Sequence, residues 1–511
     1  MPVERLSTGV DGLDEILNGG LVRGRNALLR GPPGSGKTIF GLHFLSAGVD
    51  RGETALYVNL GEPQAYVEET ADAFGLNAEE IHFHNLSPTQ AQFSADSSYS
   101  VFESAEVEQP EFVAGLREEV DAVEPDRVLL DPITEFRYLA ADERRFRTGI
   151  LGLLDYLKEA DATVLLTSQA GGSVTDDDLQ FLVDAVVSLD VTPEHRTVSV
   201  SKFRGSSFRR GSHFYDITDE GLVVWPTLVP GERERTVEPG TLPSGVPRLD
   251  ELLGGGLEAG TVTILSGPTG VGKTTTGIQF LVQAALDGRA GVLFQFEEAE
   301  RTIRRRADGI GLPLQAALDS GNLSIVEIAP EEYTVGAFEH RVREAVDDGA
   351  ELVMIDGSQG FQENLRGIDD TTGALLRIGR FLRAAGVSTI LVNEVHNVTG
   401  EFHATEERTS NLADNIVFLR HVEYRGEMRK VIGTLKMRTS DFERRLREFE
   451  IAADGIRVGE PLPQLRGILT GTPDWDDTDR RDGDGNDRHG GDTDRRDGDA
   501  DRPGGADDGQ A

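Results

Sequence analysis

Short, strongly apolar segments alternate along the chain with longer stretches in which apolar residues recur three and four positions apart. The segments with the length and composition of buried strands are NALLR, TALYVNL, RVLLD and TVLLTS, then TVTILS, GVLFQF, LVMID and TILVN. Helical periodicity follows the first segment of each set, in IFGLHFLSAGV and TTGIQFLVQAAL. Apolar strands separated by helices predict an α/β fold with a mainly parallel sheet covered by helices on both faces. Each set is followed by two β-rich segments, AVVSLDV with TVSVSKF and NIVFLRHV with VIGTLKM.

The two halves of the chain repeat one another. LSTGVDGLDEILNGGL, from Leu6, matches LPSGVPRLDELLGGGL, from Leu242, at a constant offset of 236 residues. This period is far longer than the roughly 20 to 50 residues of a solenoid unit, so each copy is expected to be a whole domain. We predict one domain over residues 1–232 and another over 238–472, joined by the proline-rich and charged stretch WPTLVPGERERTVEP.

The C-terminal segment, residues 473–511, has a different composition from both halves. It contains fourteen Asp and six Arg and almost no apolar residue. A segment of this kind cannot bury enough apolar surface to fold, so we predict a disordered acidic tail. It is either a solvated tail or a regulatory or docking segment.

The charge of the whole chain is strongly negative. It has 89 acidic and 51 basic residues, for a formal net charge of -38. This balance disfavours a nucleic acid as a partner, because its phosphate backbone is also negative. Only six of the basic residues are lysine. An acidic, lysine-poor composition is typical of a halophilic cytoplasm of high ionic strength, although arginine-favouring codons in a GC-rich genome would also explain the lysine shortage.

Two further features exclude whole classes of site. The chain has no cysteine, which rules out disulfides, thiolate metal sites and cysteine nucleophiles. No apolar run approaches the roughly 20 residues that span a bilayer, and the first twenty residues lack a signal-peptide core. We therefore expect a soluble, cytoplasmic protein with no membrane partner.

Each half contains a glycine-rich phosphate loop between a predicted strand and a predicted helix. The loops are GPPGSGKT at 31–38 and GPTGVGKT at 267–274. Their backbone N–H groups and lysine are expected to bind the phosphates of ATP, and their threonine hydroxyls to bind Mg²⁺. The predicted ATP-binding residues are Gly34, Ser35, Gly36, Lys37 and Thr38 in the first loop, with Gly270, Val271, Gly272, Lys273, Thr274 and Thr275 in the second.

Phosphoryl transfer also needs carboxylates, and several lie at the ends of predicted strands. Asp131 and Asp356 end RVLLD and LVMID, and we predict that they contribute to the Mg²⁺ sites, although a carboxylate can also simply cap a strand. The candidate catalytic bases are Glu297 and Glu298, which follow GVLFQ and Phe296. In the first half only Glu62 is present, because the preceding position is a glycine.

Two pairs of cations recur at equivalent places in the repeats. Lys202 and Arg204 are two residues apart in a predicted strand, as are Lys436 and Arg438, so each pair lies on one face. Four of the six lysines are the two loop lysines and these two. Ordinary surface lysines could have been arginines, so we predict that both pairs contact nucleotide.

These motifs together resemble a known family. The motifs that carry the resemblance are the two phosphate loops, FEE at 296–298, KFRGSS at 202–207 and VEYRGEMRKVIGTLKMR at 422–438. In these motifs the chain is similar to the circadian clock protein KaiC and its prokaryotic relatives, which are double-domain members of the RecA/DnaB-like ATPases. The resemblance covers residues 2–472. It implies two tandem RecA-like P-loop domains that assemble into a hexameric double ring, with ATP at subunit boundaries. The two cation pairs would then act on the neighbouring subunit's nucleotide.

The same resemblance implies a second activity in the C-terminal half. In the family the N-terminal ring is chiefly a slow ATPase, and the C-terminal ring also phosphorylates its own Ser and Thr side chains. In ATEERTSNLADNIVFL, Ser410 falls on the family's phosphoserine position and Asn411 on its phosphothreonine position. Thr409 and Thr405 are nearby hydroxyls, so the three are the candidate phosphoacceptors.

Three functions are compatible with these residues. The first is a KaiC-like ATPase with serine/threonine autokinase activity and regulatory protein partners. The second is an ATP-gated scaffold that docks partners without phosphorylating itself. The third is a RecA-like DNA-dependent ATPase, which we disfavour because no helical DNA-binding module precedes the first core and no lysine-rich face is present.

Overall fold

The computed structural model describes most of both repeats. The described residues are 3–85, 105–140, 142–169, 176–231, 239–329, 332–357, 360–361, 364–365, 371–395, 411–424, 426–438, 441–462, 465–466 and 474–475. The join at 232–238 and nearly all of the predicted acidic tail lie outside this set. The predicted domain boundaries and the disorder of the tail therefore stay predictions.

The first half contains short strands and helices in alternation. Its strands are β1 (Arg5–Leu6), β2 (Leu21–Val22), β3 (Asn26–Gly31), β4 (Ala55–Asn59), β5 (His82–Asn85), β6 (Arg127–Asp131), β7 (Thr163–Gln169), β8 (Ala185–Val191), β9 (Arg196–Phe203), β10 (Ser212–Thr218) and β11 (Gly221–Trp225). Its helices are α1 (Asp11–Ile16), α2 (Lys37–Val49), α3 (Gln64–Ala73), α4 (Ala105–Val123), α5 (Glu143–Glu159) and α6 (Asp177–Leu182), with a 3₁₀ helix at Ile133–Leu139.

Nine of these strands form one sheet within the described residues, in the order β11-β10-β9-β8-β3-β7-β6-β4-β5. The pairs from β8 to β5 are parallel, and β8 to β11 form an antiparallel extension. Strands β3, β4 and β6 in the parallel part are almost entirely buried, which explains why they appear in the sequence as continuous apolar runs rather than alternating ones.

The second half repeats this arrangement. Its strands are β12 (Thr241–Leu242), β13 (Leu257–Glu258), β14 (Val262–Gly267), β15 (Gly291–Gln295), β16 (Leu323–Glu327), β17 (Leu352–Asp356), β18 (Ser388–Glu394), β19 (Asn415–Tyr424), β20 (Glu427–Lys436), β21 (Arg447–Ala452), β22 (Gly455–Pro461), β23 (Leu465–Arg466) and β24 (Asp474–Trp475). Its helices are α7 (Pro247–Leu252), α8 (Lys273–Leu286), α9 (Glu300–Gly309), α10 (Leu314–Asp319), α11 (Val335–Asp347) and α12 (Thr371–Ala384).

The second sheet has the same order as the first, read from the other edge: β16-β15-β17-β18-β14-β19-β20-β21-β22. Strand β14 pairs in parallel with β18 and β19, as β3 does with β7 and β8. Two mainly parallel sheets flanked by helices confirm the predicted fold, two tandem RecA-like P-loop domains. In both halves the phosphate loop follows the strand at the centre of the sheet.

The two halves contact one another through α11. Leu228, which follows β11, is buried in the apolar core of the second half. Phe214 of β10 lies against Gly336, where an added Cβ would meet the Phe214 side chain at 2.4 Å. Arg343 of α11 forms an ion pair with Glu15 of α1 at 2.5 Å.

None of the helices in the described parts of the chain is both long enough and apolar enough to cross a membrane.

Candidate active sites

The first phosphate loop connects the buried end of β3 to the first turn of α2. Gly34 and Gly36 have φ angles of 74° and 86°, in the left-handed region that favours glycine. A Cβ on Gly36 would also lie 2.9 Å from Ile217 Cδ1. In a phosphate loop this kind of backbone lets N–H groups bind an anion before the helix, where the helix dipole also favours negative charge.

Lys37 is the first residue of α2 and is buried under the loop. Its ammonium donates to the carbonyls of Gly31 and Pro32, each at 2.9 Å. Burial lowers the pKa of Lys37, and the charge of Asp131 opposes this effect. The ammonium is thus a buried cation with hydrogen bonds to carbonyl oxygens, and it is available to phosphate oxygens.

Beside Lys37, the side chains of Thr38 and Asp131 form a hydroxyl–carboxylate pair. Thr38 Oγ1 donates to Asp131 Oδ2 at 2.8 Å, and the Tyr57 hydroxyl donates to the same oxygen at 2.8 Å. Thr167 donates to the other carboxylate oxygen. The three hydroxyls hold the carboxylate at the end of β6 against the loop. Burial and the charge of Asp131 raise the pKa of Tyr57, so this phenol stays a donor.

The second loop has the same geometry. Gly270 and Gly272 have φ angles of 73° and 115°. Lys273 is buried and donates to the Pro268 carbonyl at 3.0 Å. Thr274 Oγ1 donates to Asp356 Oδ1 at 3.1 Å. In each half the threonine predicted for the Mg²⁺ site therefore contacts the aspartate predicted for it.

These pairs fit Mg²⁺, which prefers oxygen ligands and is usually bound by one or two protein groups together with water and substrate phosphates. Across the described ranges, no group of three or more His, Cys, Asp or Glu side chains could hold a metal ion by itself. One hydroxyl and one nearby carboxylate are what a phosphate loop contributes to a nucleotide-bound Mg²⁺. Thr38 with Asp131, and Thr274 with Asp356, would hold the ion in that way.

Asp356 is buried, and other acidic side chains lie near it. The Gln295 amide donates to Asp356 Oδ2 at 2.9 Å and accepts from the Glu298 N–H at 3.1 Å. Burial, followed by the charges of Glu297 and Glu298, raises the pKa of Asp356 to about 6. A cation bound here would relieve this repulsion.

A cavity of about 320 Å³ opens above the second loop. The charged and hydroxyl side chains around it are Thr269, Lys273, Thr274, Thr275, Glu297, Glu298, Arg306, Asp356 and Glu394. Its size is within the roughly 300–1,000 Å³ of small-molecule sites. The predicted phosphate-binding groups and candidate bases of the second half therefore line one cavity.

Of the three predicted bases, Glu297 has the closest relation to the loop lysine. Its carboxylate accepts from the Gly360 N–H, and burial together with the charge of Glu394 raises its pKa. Its charge also acts on the Lys273 ammonium. A carboxyl with raised proton affinity beside a phosphate site is suited to accept a proton from an attacking hydroxyl.

Glu298 and Glu62 are positioned differently. Glu298 also lines the cavity, but its carboxylate forms an ion pair with Arg306 of α9 at 2.9 Å. Glu62 is exposed, and its backbone is held by Asn59, whose side chain donates to the Glu62 carbonyl at 2.5 Å. Gly61, the counterpart of Glu297, faces Pro132 instead, and a Cβ there would lie 3.1 Å from Pro132 Cδ.

The cation pair of the first half does not lie near its own phosphate loop. Lys202 pairs with Val186 near the start of β8, whose start lies beside the start of β3. Its ammonium donates to the carbonyls of Gln180 and Val183 at 2.7 and 2.6 Å. The loop begins at the opposite end of β3, roughly 10 Å farther along the strand direction.

The second cation pair repeats this placement. Lys436 donates to the Ala413 carbonyl at 2.7 Å, at the start of β19. Arg438 lies 3.6 Å from Asp414, and Arg204 lies 3.6 Å from Asp184 in the first half. The side chains of Arg204 and Arg438 are 56% and 48% exposed. Both guanidinium groups are accessible to solvent at the end of the sheet that is opposite their own loops.

The structure also brings to the loops residues that were not predicted there. Arg196 donates to the Gly34 carbonyl at 2.9 Å, and Lys430 to the Gly270 carbonyl at 3.0 Å. Lys430 is one of the six lysines, and that scarcity was a signal that could have found it. Glu394 had a signal too, as the polar residue that follows the apolar run TILVN.

The candidate phosphoacceptors Ser410, Thr409 and Thr405 lie outside the described residues. Asn411, the next residue, is exposed at the start of the segment that leads into β19. The role of the three candidate phosphoacceptors therefore stays a prediction.

Comparison with known proteins agrees with the fold and with the loops. The family model described as "ATPase: KaiC" matches residues 6–229 and again residues 242–462. The "Circadian clock protein KaiC3" of Synechocystis sp. is 28% identical over 498 residues, 92% of this chain and 95% of that protein. The "Circadian clock oscillator protein KaiC" of Parasynechococcus marenigrum is 27% identical over 94% of this chain and 95% of its own. The chain therefore belongs to the KaiC family of ATPases.

Proposed function

We propose that this protein is a cytoplasmic enzyme that hydrolyses ATP with Mg²⁺ in a hexameric double ring and phosphorylates its own serine or threonine residues in the second half. The observation that supports the proposal is that the predicted loop lysine and the predicted cation pair of each half lie at opposite ends of its sheet. Lys37 and Lys273 are buried beneath their loops, whereas Arg204 and Arg438 are half-exposed at the opposite end of the same sheets.

A ring completes both sites at once. In such a ring, the phosphate loop of one subunit packs against the cation pair of the neighbouring subunit. The neighbour's Lys and Arg then reach the terminal phosphate of the nucleotide. Charge on that phosphate would then be stabilised from both sides, as by an arginine finger in trans. The closed ring also explains why the same residue pairs occur in both halves, because each half then forms its own ring.

In the second site, Glu297 is the proposed base. Its carboxylate takes the proton from an attacking water or hydroxyl, whose oxygen forms a bond to the terminal phosphorus as the bond to ADP breaks. Lys273 and the partner subunit's cations stabilise the charge on the transferred group. Mg²⁺, when bound by Thr274 and Asp356, supplies further charge neutralisation. In the first site Glu62 is the counterpart, and water is the proposed acceptor.

A mixing experiment tests the trans arrangement. Lys273→Ala subunits lack a working second loop, and Arg438→Ala subunits lack the cation, so each variant alone should lose most of the second site's ATPase activity. Mixed rings should regain activity at roughly a quarter of the second sites, where an intact loop meets an intact neighbouring cation. Native mass spectrometry of the mixture shows whether hexamers form. Mixed hexamers with no gain in activity would contradict trans action.

The kinase part needs a separate test. Intact-mass analysis with Mg²⁺ and ATP should show added phosphate, and peptide mapping should place it on Ser410, Thr409 or Thr405. A Glu297→Gln variant should lose it.

Asn411 occupies the position at which the family has a phosphothreonine. This difference favours one alternative, an ATP-gated scaffold for regulatory proteins that does not phosphorylate itself. No added phosphate, together with normal ATP hydrolysis, would support that function.

A further inference from the structure

The two sites differ at the end of the strand that lies next to the loop strand. In the first half, the register pairs Gly31 of β3 with Gln169 of β7. In the second, it pairs Gly267 of β14 with Glu394 of β18. The same place beside each phosphate loop therefore has an amide in one site and a carboxylate in the other.

The loops differ at the residue that can contact this position. Thr269 in the second loop donates its hydroxyl hydrogen bond to Glu394. The matching residue of the first loop is Pro33, which has neither a hydroxyl nor a backbone N–H to donate. Glu394 is half-buried and lines the cavity above Lys273, whereas Gln169 is exposed.

The surroundings of the two loop lysines differ accordingly. The carboxylates whose charge acts on the Lys273 ammonium are those of Glu394, Asp356 and Glu297, with Glu394 the strongest. For Lys37, the corresponding charge within the described residues is that of Asp131. The loop lysine binds the terminal phosphates of a nucleotide, so in the second site a third phosphate has to share it with Glu394.

We propose that Glu394 is a specificity-determining residue that reduces the second site's preference for a nucleoside triphosphate over a diphosphate. The inference rests on the proposed function, since it assumes that this cavity binds ATP. The terminal phosphate and the Glu394 carboxylate are like charges held against one ammonium, and a diphosphate leaves the outer position empty. The first site, with Gln169, lacks this repulsion and retains the triphosphate better.

The test measures binding, not turnover. In full-length Lys37→Ala protein, where only the second site is intact, calorimetric titration with Mg²⁺ gives Kd for a non-hydrolysable ATP analogue and for ADP. Adding Glu394→Gln, the first-half residue type and nearly the same shape, should raise analogue affinity relative to ADP by about 5- to 50-fold. Gln169→Glu in Lys273→Ala protein should change the first site's ratio in the opposite direction.

Thr269→Ala is the matched control. It removes the hydrogen bond but keeps the carboxylate, so the ratio of the two affinities should stay near that of its parent. An unchanged ratio in Glu394→Gln protein that still binds both nucleotides would overturn the inference and leave the proposed function standing. Failure of the Lys37→Ala parent, folded by its circular dichroism spectrum, to bind either nucleotide would instead overturn the proposed second site. If Glu394→Gln abolishes hydrolysis without changing the ratio, Glu394 is a base, and the inference is wrong.

Discussion

At the scale of single residues, the two metal-site aspartates show how neighbours change one side chain. Asp131 and Asp356 end equivalent strands and accept from equivalent threonines. Three hydroxyls surround Asp131, whereas Asp356 shares its site with Glu297 and Glu298. In the nucleotide-free protein, Asp356 is a buried carboxyl that repels its neighbours when ionised.

This repulsion predicts a pH dependence of stability without nucleotide or Mg²⁺. The pKa of Asp356 rises from 3.8 to about 6 on folding, so between these values the folded state binds more protons than the unfolded state. The free energy of unfolding should therefore fall as pH increases through this window, by about 2 to 3 kcal/mol. Asp356→Asn should remove that loss, which urea titrations of wild type and variant at pH 4, 5, 6 and 7 will measure.

An exposed carboxylate in the same half gives the control. Asp308→Asn changes the net charge by the same amount, but Asp308 is exposed near the end of α9. This variant should keep the wild-type slope. Equal slopes in the wild type and the Asp356→Asn variant would show that the aspartate does not titrate in this range.

At the scale of elements, α11 joins the two halves. One face packs Val335 and Phe338 into the second core, which also receives Leu228 from the first half. Glu339, on the same helix, is fully buried and accepts from the Leu228 N–H at 3.2 Å. It also forms an ion pair at 2.7 Å with Arg377 of α12, whose side chain is 36% exposed. One carboxylate therefore links the end of the first half to two helices of the second.

Removing this carboxylate should weaken the contact between the halves. Glu339→Ala leaves the buried Leu228 N–H and the Arg377 guanidinium without it, and should cost about 2 to 3 kcal/mol of unfolding free energy, because the exposure of Arg377 reduces the penalty. Glu339→Gln keeps an acceptor for the N–H, and should cost less than about 1 kcal/mol because burial already raises the pKa of Glu339. Denaturant titration compares the two.

Glu344→Ala, also on α11, is the control for helix effects. Its side chain is 43% exposed and pairs with Arg341 on the surface, so its loss should cost no more than about 1 kcal/mol. If Glu339→Ala costs no more than this control, the buried carboxylate does not stabilise the contact.

At the scale of the whole molecule, the large negative net charge is the main influence on how stability depends on salt. A net charge of -38 produces self-repulsion throughout the chain, and ion pairs such as Arg127 with Glu53 offset only part of it. The Debye length shortens from about 10 Å at 0.1 M salt to about 3 Å at 1 M, so added salt screens the repulsion more effectively than it weakens close, buried pairs.

We therefore expect salt to stabilise the protein. Raising KCl from about 0.1 M to about 2 M at pH 7 should increase Tm by several degrees, as measured by differential scanning calorimetry. Near pH 4.6, where the net charge approaches zero, the same step should have a much smaller effect. A decrease in Tm at pH 7, or an equal increase at both pH values, would exclude screening as the cause.

The sequence by itself determined the duplication, the two phosphate loops and the α/β fold, because each depends on local spacing. A loop of fixed length between a strand and a helix positions Lys37 or Lys273 with little influence from the rest of the chain. Apolar runs placed Asp131 and Asp356 at strand ends for the same reason.

Only the tertiary structure decided which of these groups meet. Strand order brings Glu394 to the loop at Thr269, and it places Glu297 in the same cavity as Lys273. It also places each cation pair at the end of the sheet away from its own loop, although the pairs and the loops are equally recognisable in the sequence. These contacts join residues far apart along the chain, so sheet register and packing determine them, and residue spacing does not.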